Sequence, residues 1–525
     1  MGYTGATYQI PCNRGGLNHN KNIDLIPPES MIYPSSNINL IKGGREKRGG
    51  TAHINPTAIS GMPRIWGIYQ FQPKNSFPIL LIATSDGMIL KDFYTILKTG
   101  LTINKPVHFV TFNNQCIICT GNDLPQVWDG RSPTTSDITN YPADWITSKP
   151  SKMVKHGIGA SERLWAFGCS ERPHRIYASA VNPKDDTTQP DFSDTNVLTF
   201  YIDTGDGFGI VDAIEFGNRL ICFGKMKAYI LDDTNINTEN WGFYAGQWEG
   251  GVGSNRLLIR TPNDIVSFSE DGDIYSVTAV QSYGDYRLAS LTRGSFINEY
   301  IQEFIDLSAI SDFHGIYDPF LRCIKFFVVR KGVSYVDTAL VYFIDRPPDE
   351  AWMIHDNQAY DSGYKAVCSA LVRRPIGDYK IYTGGWDNGF VWMLETDERN
   401  DNGNPYYAGF KTARLSFDNS RLTKRFDRGW VVARPEDNSD LQIRYWVDGI
   451  TTTQSTISLG VTVGVLDSFI LDVNRLAGDE FVDKYFDIGK VGKRIQFEVY
   501  NSKINQNFFI SQLLVDFKPL GVKPK

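Results

Sequence analysis

One pattern constrains this chain more than any other. An apolar strand, a tight polar turn and a second apolar or aromatic strand recur along it. The unit appears at Ile79–Leu90, Cys116–Asp129, Arg163–Ser179, Arg219–Leu231 and Asp264–Val277. Two longer versions start near Cys323 and Tyr379, the last ending in Gly384–Trp392. First strands are separated by roughly 37 to 59 residues, which overlaps the 40–50-residue period of propeller blades. A hairpin with flanking strands makes a four-stranded blade, and six or seven such blades close into a ring that protects their edges. A pair of β-sandwiches would also show strands every 8–12 residues and stands as the competing architecture. The similarity returns at blade length rather than strand length, which favours the propeller.

The expected fold is therefore all-β. It comprises an extended N-terminal arm over residues 1–60, a β-propeller of six or seven blades over 61–396, and a β-sandwich over 397–525. The arm mixes Gly, Pro, Asn and Ser without a sustained period and is expected to order by wrapping over a domain or a neighbouring subunit. With no core of its own, it should be removable: deleting residues 1–50 is expected to leave subunit folding nearly intact and to weaken assembly. One segment breaks the β pattern. Between Ser295 and Leu307 apolar residues fall at 296, 297, 300, 301, 304 and 305, the face of an inserted helix with Ser295 as N-cap. The polar run 397–405 reads as a domain boundary, and the alternation in Leu441–Asp448 and Arg494–Tyr500 reads as half-buried antiparallel strands.

Composition narrows the class. With 42% hydrophobic and 21% charged residues and a net charge of −6, the chain is neither disordered nor a basic nucleic-acid binder. Seven cysteines in 525 residues do not make a disulfide framework. The Cys116-x-x-Cys119 spacing invites a metal reading, but residues three apart on a strand point to opposite faces, so a structural role is expected. No stretch approaches 18 apolar residues and the N-terminus lacks a signal pattern, so no membrane span and synthesis in the cytoplasm are expected.

A search for chemistry yields no catalytic, cofactor-binding or metal-binding residues. Gly205–Gly209 has no following helix pattern and reads as a turn, and the seven histidines are well separated. Ser269-Glu270-Asp271-Gly272 resembles the Asp-box turn of sialidases but lacks its spacer and closing Trp. Trp128-Asp129 and Trp386-Asp387 resemble the dipeptide of another propeller family without its upstream Gly-His partner. Two basic clusters are candidate contacts for a partner or for DNA: Arg45, Lys47 and Arg48 in the arm, and Lys424 and Arg425 at a strand start. A solvated surface is the competing reading of both.

Taken in order, several segments resemble the tail nozzle, or tail-tube end, proteins of short-tailed bacteriophages and the related packaged-DNA stabilisation proteins. They are Gly15–Asn18 with Asn37–Leu40 and Lys47–Gly50; Arg163–Gly168 with Pro173–Ser179 and Pro190–Phe192; Gly207–Leu231 with Gly250–Gly253 and Phe268–Tyr275; and Lys424–Phe426 with Arg444–Asp448 and Gly492–Gln496. The spacers 131–155 and 331–362 are longer than the family's pattern. The resemblance implies a structural virion protein without catalytic residues or cofactor. Six copies would form a ring on a tail adaptor, extend the DNA channel, retain the packaged double-stranded genome, conduct it at ejection, and dock fibres or a needle. A conduit must let DNA slide, so weak DNA contacts and a lumen richer in Asp and Glu than in Lys and Arg are expected. The alternative is a propeller tail protein that binds or hydrolyses glycans, which would need convergent carboxylates on the channel face.

Overall fold

The computed structural model describes residues 5–20, 22, 25–157, 159–185, 187–205, 207–280, 285–293, 296–417, 419–436, 438–451, 454–460 and 481–521. Among them, seven four-stranded antiparallel sheets follow one another over residues 65–98, 108–137, 152–201, 212–249, 258–290, 314–356 and 366–396. The first strand of each sheet lies beside the first strand of the next, and that of the seventh beside that of the first, so the sheets stand in a closed ring. This is the arrangement of a β-propeller. Each of the seven recurrent hairpins in the sequence is the second and third strand of one sheet. The reason is burial. A second strand is covered on both faces, so Gln115–Cys119, Ile265–Phe268 and Cys323–Val328 are buried at every position and read as predominantly apolar runs.

Apolar clusters fill the spaces between neighbouring sheets. Cys116 and Ile118 face the cluster shared with the first sheet, whereas Ile117 and Cys119 face the one shared with the third. The two thiols thus point to opposite faces, and all seven cysteines are buried and free. Trp128, Trp165 and Trp392 are buried between sheets. Trp386 lies under Arg64, whose guanidinium is 3.8 Å from its ring and also pairs with Asp387. The inserted helix spans Ile297–Phe304, with Phe296 left-handed at its start (φ 57°). The expected N-cap, Ser295, lies outside the described residues.

Beyond the ring, two six-stranded sheets face each other. One contains Thr423–Ala433, Val482–Gly492 and Phe509–Gly521; the other contains Ala408–Thr412, Asp440–Val447 and Ile495–Asn501. Tyr445 and Phe497 of the second pack on Phe486 of the first at 6.3 and 6.0 Å. Asp440–Val447 alternates in burial as its sequence alternates in polarity, but Ile495–Asn501 is buried throughout. Its polar residues are bonded inside: Glu498 accepts from Arg444 and Tyr407, each at 3.0 Å.

The first 53 residues are woven into the rest of the fold. They supply five strands: β1 (Ala6–Pro11), β2 (Met31–Ser36), β3 (Ile38–Ile41), β4 (Gly44–Lys47) and β5 (Gly50–His53). β1 and β4 pair with Phe509–Gly521, β2 pairs with Ala408–Thr412, and β5 is the fourth strand of the seventh propeller sheet. β1, β2, β4 and β5 take hydrogen-bonding partners from chain distant in sequence, and β3 joins them through a hairpin with β4. The basis for expecting a subunit that folds without residues 1–50 is therefore gone.

Candidate functional site

The arm's basic residues do not face solvent. Arg45, Lys47 and Arg48 are completely buried, and Lys424 is 1% exposed. As folded, none can touch DNA or a partner, which corrects the sequence-based expectation for these four. The local cause lies in two glycines. A Cβ on Gly50 would sit 1.9 Å from the Asn400 carbonyl oxygen, and one on Gly49 would sit 2.6 Å from Glu395 Cα. That close approach brings Arg48 against Asp401. Its guanidinium donates to Asp401 at 2.7 and 3.0 Å, to Asn37 Oδ1 at 2.7 Å, and to the carbonyls of Gly49 and Asp356. The rings of Tyr406 and Tyr364 lie 3.8 and 4.5 Å from it.

Around this pair the polar network continues. Glu395 accepts from Lys325 Nζ at 2.6 Å, from the Gly49 N–H at 2.8 Å and from Tyr364 Oη at 3.2 Å. Burial alone would raise the Glu395 carboxyl, but Lys325, His355 and Arg48 pull it far below the usual range. Lys47 donates to Asn501 Oδ1 and to the Lys503 carbonyl, each at 3.0 Å. Burial, reinforced by Arg48 and Arg399, lowers its ammonium to about 7. Arg45 donates to the carbonyls of Arg14 and Glu29 and stacks on Phe410 at 4.4 Å. The run 397–405, read as a linker, is thus half of a desolvated ionic joint between arm, ring and C-terminal sheets.

Lys424 donates to the backbone carbonyls of Asn419, Leu422 and Lys493 at 2.6, 3.2 and 3.2 Å. Arg425 is the one proposed contact residue that is exposed, and it pairs with Asp427 at 2.9 Å. Near it, the segments Arg444–Asp448 and Gly492–Gln496 meet. Asp448 and Gly449 form a two-residue turn with positive φ (49° and 86°), the geometry that tight hairpins require. The Asp448 carboxylate accepts the N–H of Lys493 at 3.0 Å and of Arg494 at 2.9 Å. A cleft of ≈ 350 Å³ beside this turn is lined by Arg414, Trp446, Lys493 and Arg494, with Lys411 4.1 Å above the Trp446 ring.

The propeller's first strands enclose a second feature that no sequence motif announced. A cavity of ≈ 240 Å³ is lined by Trp66, His108, Lys152, Arg256, His314 and Cys368, among others. Glycines let the inner strands approach: a Cβ on Gly315 would meet Ile259 at 2.6 Å. Lys152 pairs with Asp212 at 2.7 Å and donates to the Asn255 carbonyl at 2.8 Å. Burial raises the Asp212 carboxyl to about 6 against the pull of Lys152. Arg256 donates to the carbonyls of Val367 at 2.7 Å and Ser311 at 2.8 Å, lacing the fifth sheet to the seventh and to the start of the sixth. Burial, with Lys152 and Arg256 nearby, holds His108 well below its ordinary pKa; burial and Arg256 do the same to His314. The available signal was a charged or imidazole residue in or beside a first strand, a pattern too short to stand out.

This geometry can bind or brace. Among the described residues, the Asp212 carboxylate is spent on Lys152, and no group of three His, Cys, Asp or Glu side chains is placed to hold a metal ion.

A closed ring of four-stranded sheets with an attached pair of facing sheets defines an all-β protein of the β-propeller kind. No family model matches the chain, and no curated protein matches it. Among solved structures it is similar to BBS1N, crystallised in complex with ARL6DN (TM-score 0.41, 11% identity, 67% of this chain and 98% of that one). It is also similar to the N-terminal domain of Nup159 (0.36, 10%, 66% and 94%) and to YCF48 bound to D1 peptide (0.37, 12%, 66% and 98%). These likenesses concern the fold alone.

Proposed function

We propose that this chain is a structural subunit of a short-tailed bacteriophage tail nozzle, acting as a homohexameric ring in the virion. In this reading, synthesis is in the host cytoplasm. The ring sits on a tail adaptor, carries fibres or a needle, and extends the channel that retains the packaged genome and conducts it at ejection. The propeller is seven-bladed and the C-terminal domain is a β-sandwich. The reading needs no catalytic residue and no cofactor.

The observation that carries it is the joint. Residues of the Lys47–Gly50 segment, one of those that carry the resemblance, are spent on fastening ring and C-terminal sheets together through Arg48–Asp401, with both side chains fully buried. Breaking such a pair leaves an unpaired buried charge and is strongly unfavourable. A subunit that must hold its shape while DNA passes is served by that construction. The propeller cavity bears only on the alternative: its lining residues include Lys152 and Arg256 but not the convergent carboxylates a glycan hydrolase needs.

The test is the mass and low-resolution image of the purified assembled protein. A ring of six with an axial opening, and weak DNA binding at physiological salt, are expected. A persistent monomer in the presence of other tail proteins would overturn the reading, as would tight salt-sensitive DNA binding. Hydrolysis of host polysaccharide that is lost on substituting one carboxylate would move the protein to the enzyme class.

A further inference from the structure

We propose that the propeller channel binds a small oxyanion of the phosphate class, held by Arg256 and Trp66 with His108 completing the donor set. This is independent of the nozzle reading and rests on the cavity alone.

Three residues lining one cavity carry a buried nitrogen without a hydrogen-bond partner: Arg256 Nε, Trp66 Nε1 and His108 Nε2; His314 lines the same cavity but is hydrogen-bonded to the backbone of Asp312. Most buried polar atoms in folded proteins are paired, so a convergence of orphans marks either an unplaced ligand or a cost. Arg256 Nε and Trp66 Nε1 are donors only, and a neutral imidazole can present one N–H. The set therefore asks for acceptors. Water would supply acceptors but not charge, and charge is also missing. Lys152 is neutralised by Asp212 at 2.7 Å. The two hydrogen bonds of Arg256 go to neutral carbonyls, and among the described residues no carboxylate forms an ion pair with it. Asp312 acts on Arg256 only at longer range.

The site thus holds one uncompensated guanidinium in a cavity of ≈ 240 Å³, room for a tetrahedral anion with some of its waters. A guanidinium matches an oxyanion in charge and in planar donor geometry. Trp66 is 7% exposed and lies under Arg256, with its ring 5.6 Å from the guanidinium carbon, so the indole N–H and the cation are held together. Free phosphate and the phosphomonoester of a nucleotide share this chemistry.

The full-length protein should be titrated with sodium phosphate, with sodium chloride at matched ionic strength, and with a nucleoside monophosphate, reading thermal unfolding and phosphorus-31 line width. Phosphate at ten times its dissociation constant multiplies the folded-to-unfolded ratio about elevenfold. Phosphate-specific stabilisation and line broadening in the wild type are expected, both lost in Arg256→Met and reduced at least several-fold in Trp66→Phe, which keeps the packing and removes the donor. A response to the monophosphate but not to free phosphate would assign the ester as ligand. If Arg256→Met does not fold, Trp66→Phe and His108→Leu carry the test. Equal effects of phosphate and chloride, or a phosphate response unchanged in Trp66→Phe and His108→Leu, would overturn the proposal.

Discussion

Replacing Arg48 with methionine isolates the joint, because the aliphatic stem stays and only the guanidinium goes. Five hydrogen bonds are lost, two of them to Asp401. The Asp401 carboxylate keeps Asn357 at 2.8 Å and Thr51 at 3.1 Å, but no cation, and its side chain is 0% exposed. Breaking one partner of a buried pair costs about 3–5 kcal/mol, and the lost contacts with the two tyrosine rings add about 1 kcal/mol. The double substitution Arg48→Met, Asp401→Leu removes both charges and should recover most of that loss, since buried pairs are often no better than apolar replacements. Global unfolding of so large a chain need not be two-state, so the readout is amide hydrogen exchange at the joint. The N–H groups of Gly50 and Thr51 are bonded to the carbonyls of Glu398 and Asn400 at 2.8 and 3.1 Å. In Arg48→Met they should exchange several hundredfold to about twenty-thousandfold faster, for a total of about 4–6 kcal/mol at tenfold per 1.4 kcal/mol. Exchange within threefold of wild type would refute the reasoning, and so would a double variant no better than the single one.

Gly50→Ala should cost more than about 2 kcal/mol, because the added Cβ lies 1.9 Å from a backbone oxygen that cannot swing away; a urea midpoint measures it. Glu395 has a folded pKa far below its unfolded one, so its contribution is present above about pH 5 and is lost progressively as pH falls from the ordinary carboxylate range toward that lower folded value. Urea titrations from pH 7 to pH 3 should show a shallower acid loss in Glu395→Gln, from a lower starting stability. Asp448→Ala removes the acceptor of the Lys493 and Arg494 N–H groups and should cost about 1–3 kcal/mol, read as faster exchange at those two amides. Truncation after residue 505 removes a strand paired with β1, β4 and Thr423–Ala433; proteolysis should then cut the first 50 residues readily, and a protected N-terminus would count against the pairing.

The ring was legible because its signal is periodic and doubly buried. Each second strand carries a buried, largely apolar run, and turns such as Asp86-Gly87 and Asp271-Gly272 mark the hairpins. The closing strand was not legible, since Gly50-Thr51-Ala52-His53 has neither alternation nor length, and its place is set by Leu394 and Thr396 more than three hundred residues away. The same holds for β1, β2 and β4, which pair with segments in the C-terminal part of the chain. Burial of the basic cluster was hidden for a related reason. Lys42–Arg48 looks solvated in isolation, and only Asp401, Asn501 and the backbone carbonyls around them let Arg45, Lys47 and Arg48 be buried. Tertiary partners, not local propensity, decided every miss. Ser269–Gly272 went the other way: the turn reading holds, with Ser269 bonded to its own turn and Gly272 left-handed.

The topology has a mechanical consequence. A propeller whose last sheet is built only from consecutive chain can open where its first and last sheets meet, because nothing but side-chain packing joins them. Here β5 comes from before the first sheet and is hydrogen-bonded into the seventh, so opening the ring must peel a strand out of a sheet. β5 cannot leave alone, because Arg48, two residues before it, is fixed to Asp401, and β4 before that is paired with Phe509–Gly521. Peeling the ring therefore pulls on the C-terminal sheets, and disturbing those sheets unseats the ring's closing strand. The two parts share one cooperative fastening, at the high cost in chain entropy that long-range pairing carries. Cations that would serve binding if exposed instead secure this fastening, where a guanidinium's fixed fork of donors can satisfy an aspartate, an asparagine and two carbonyls at once.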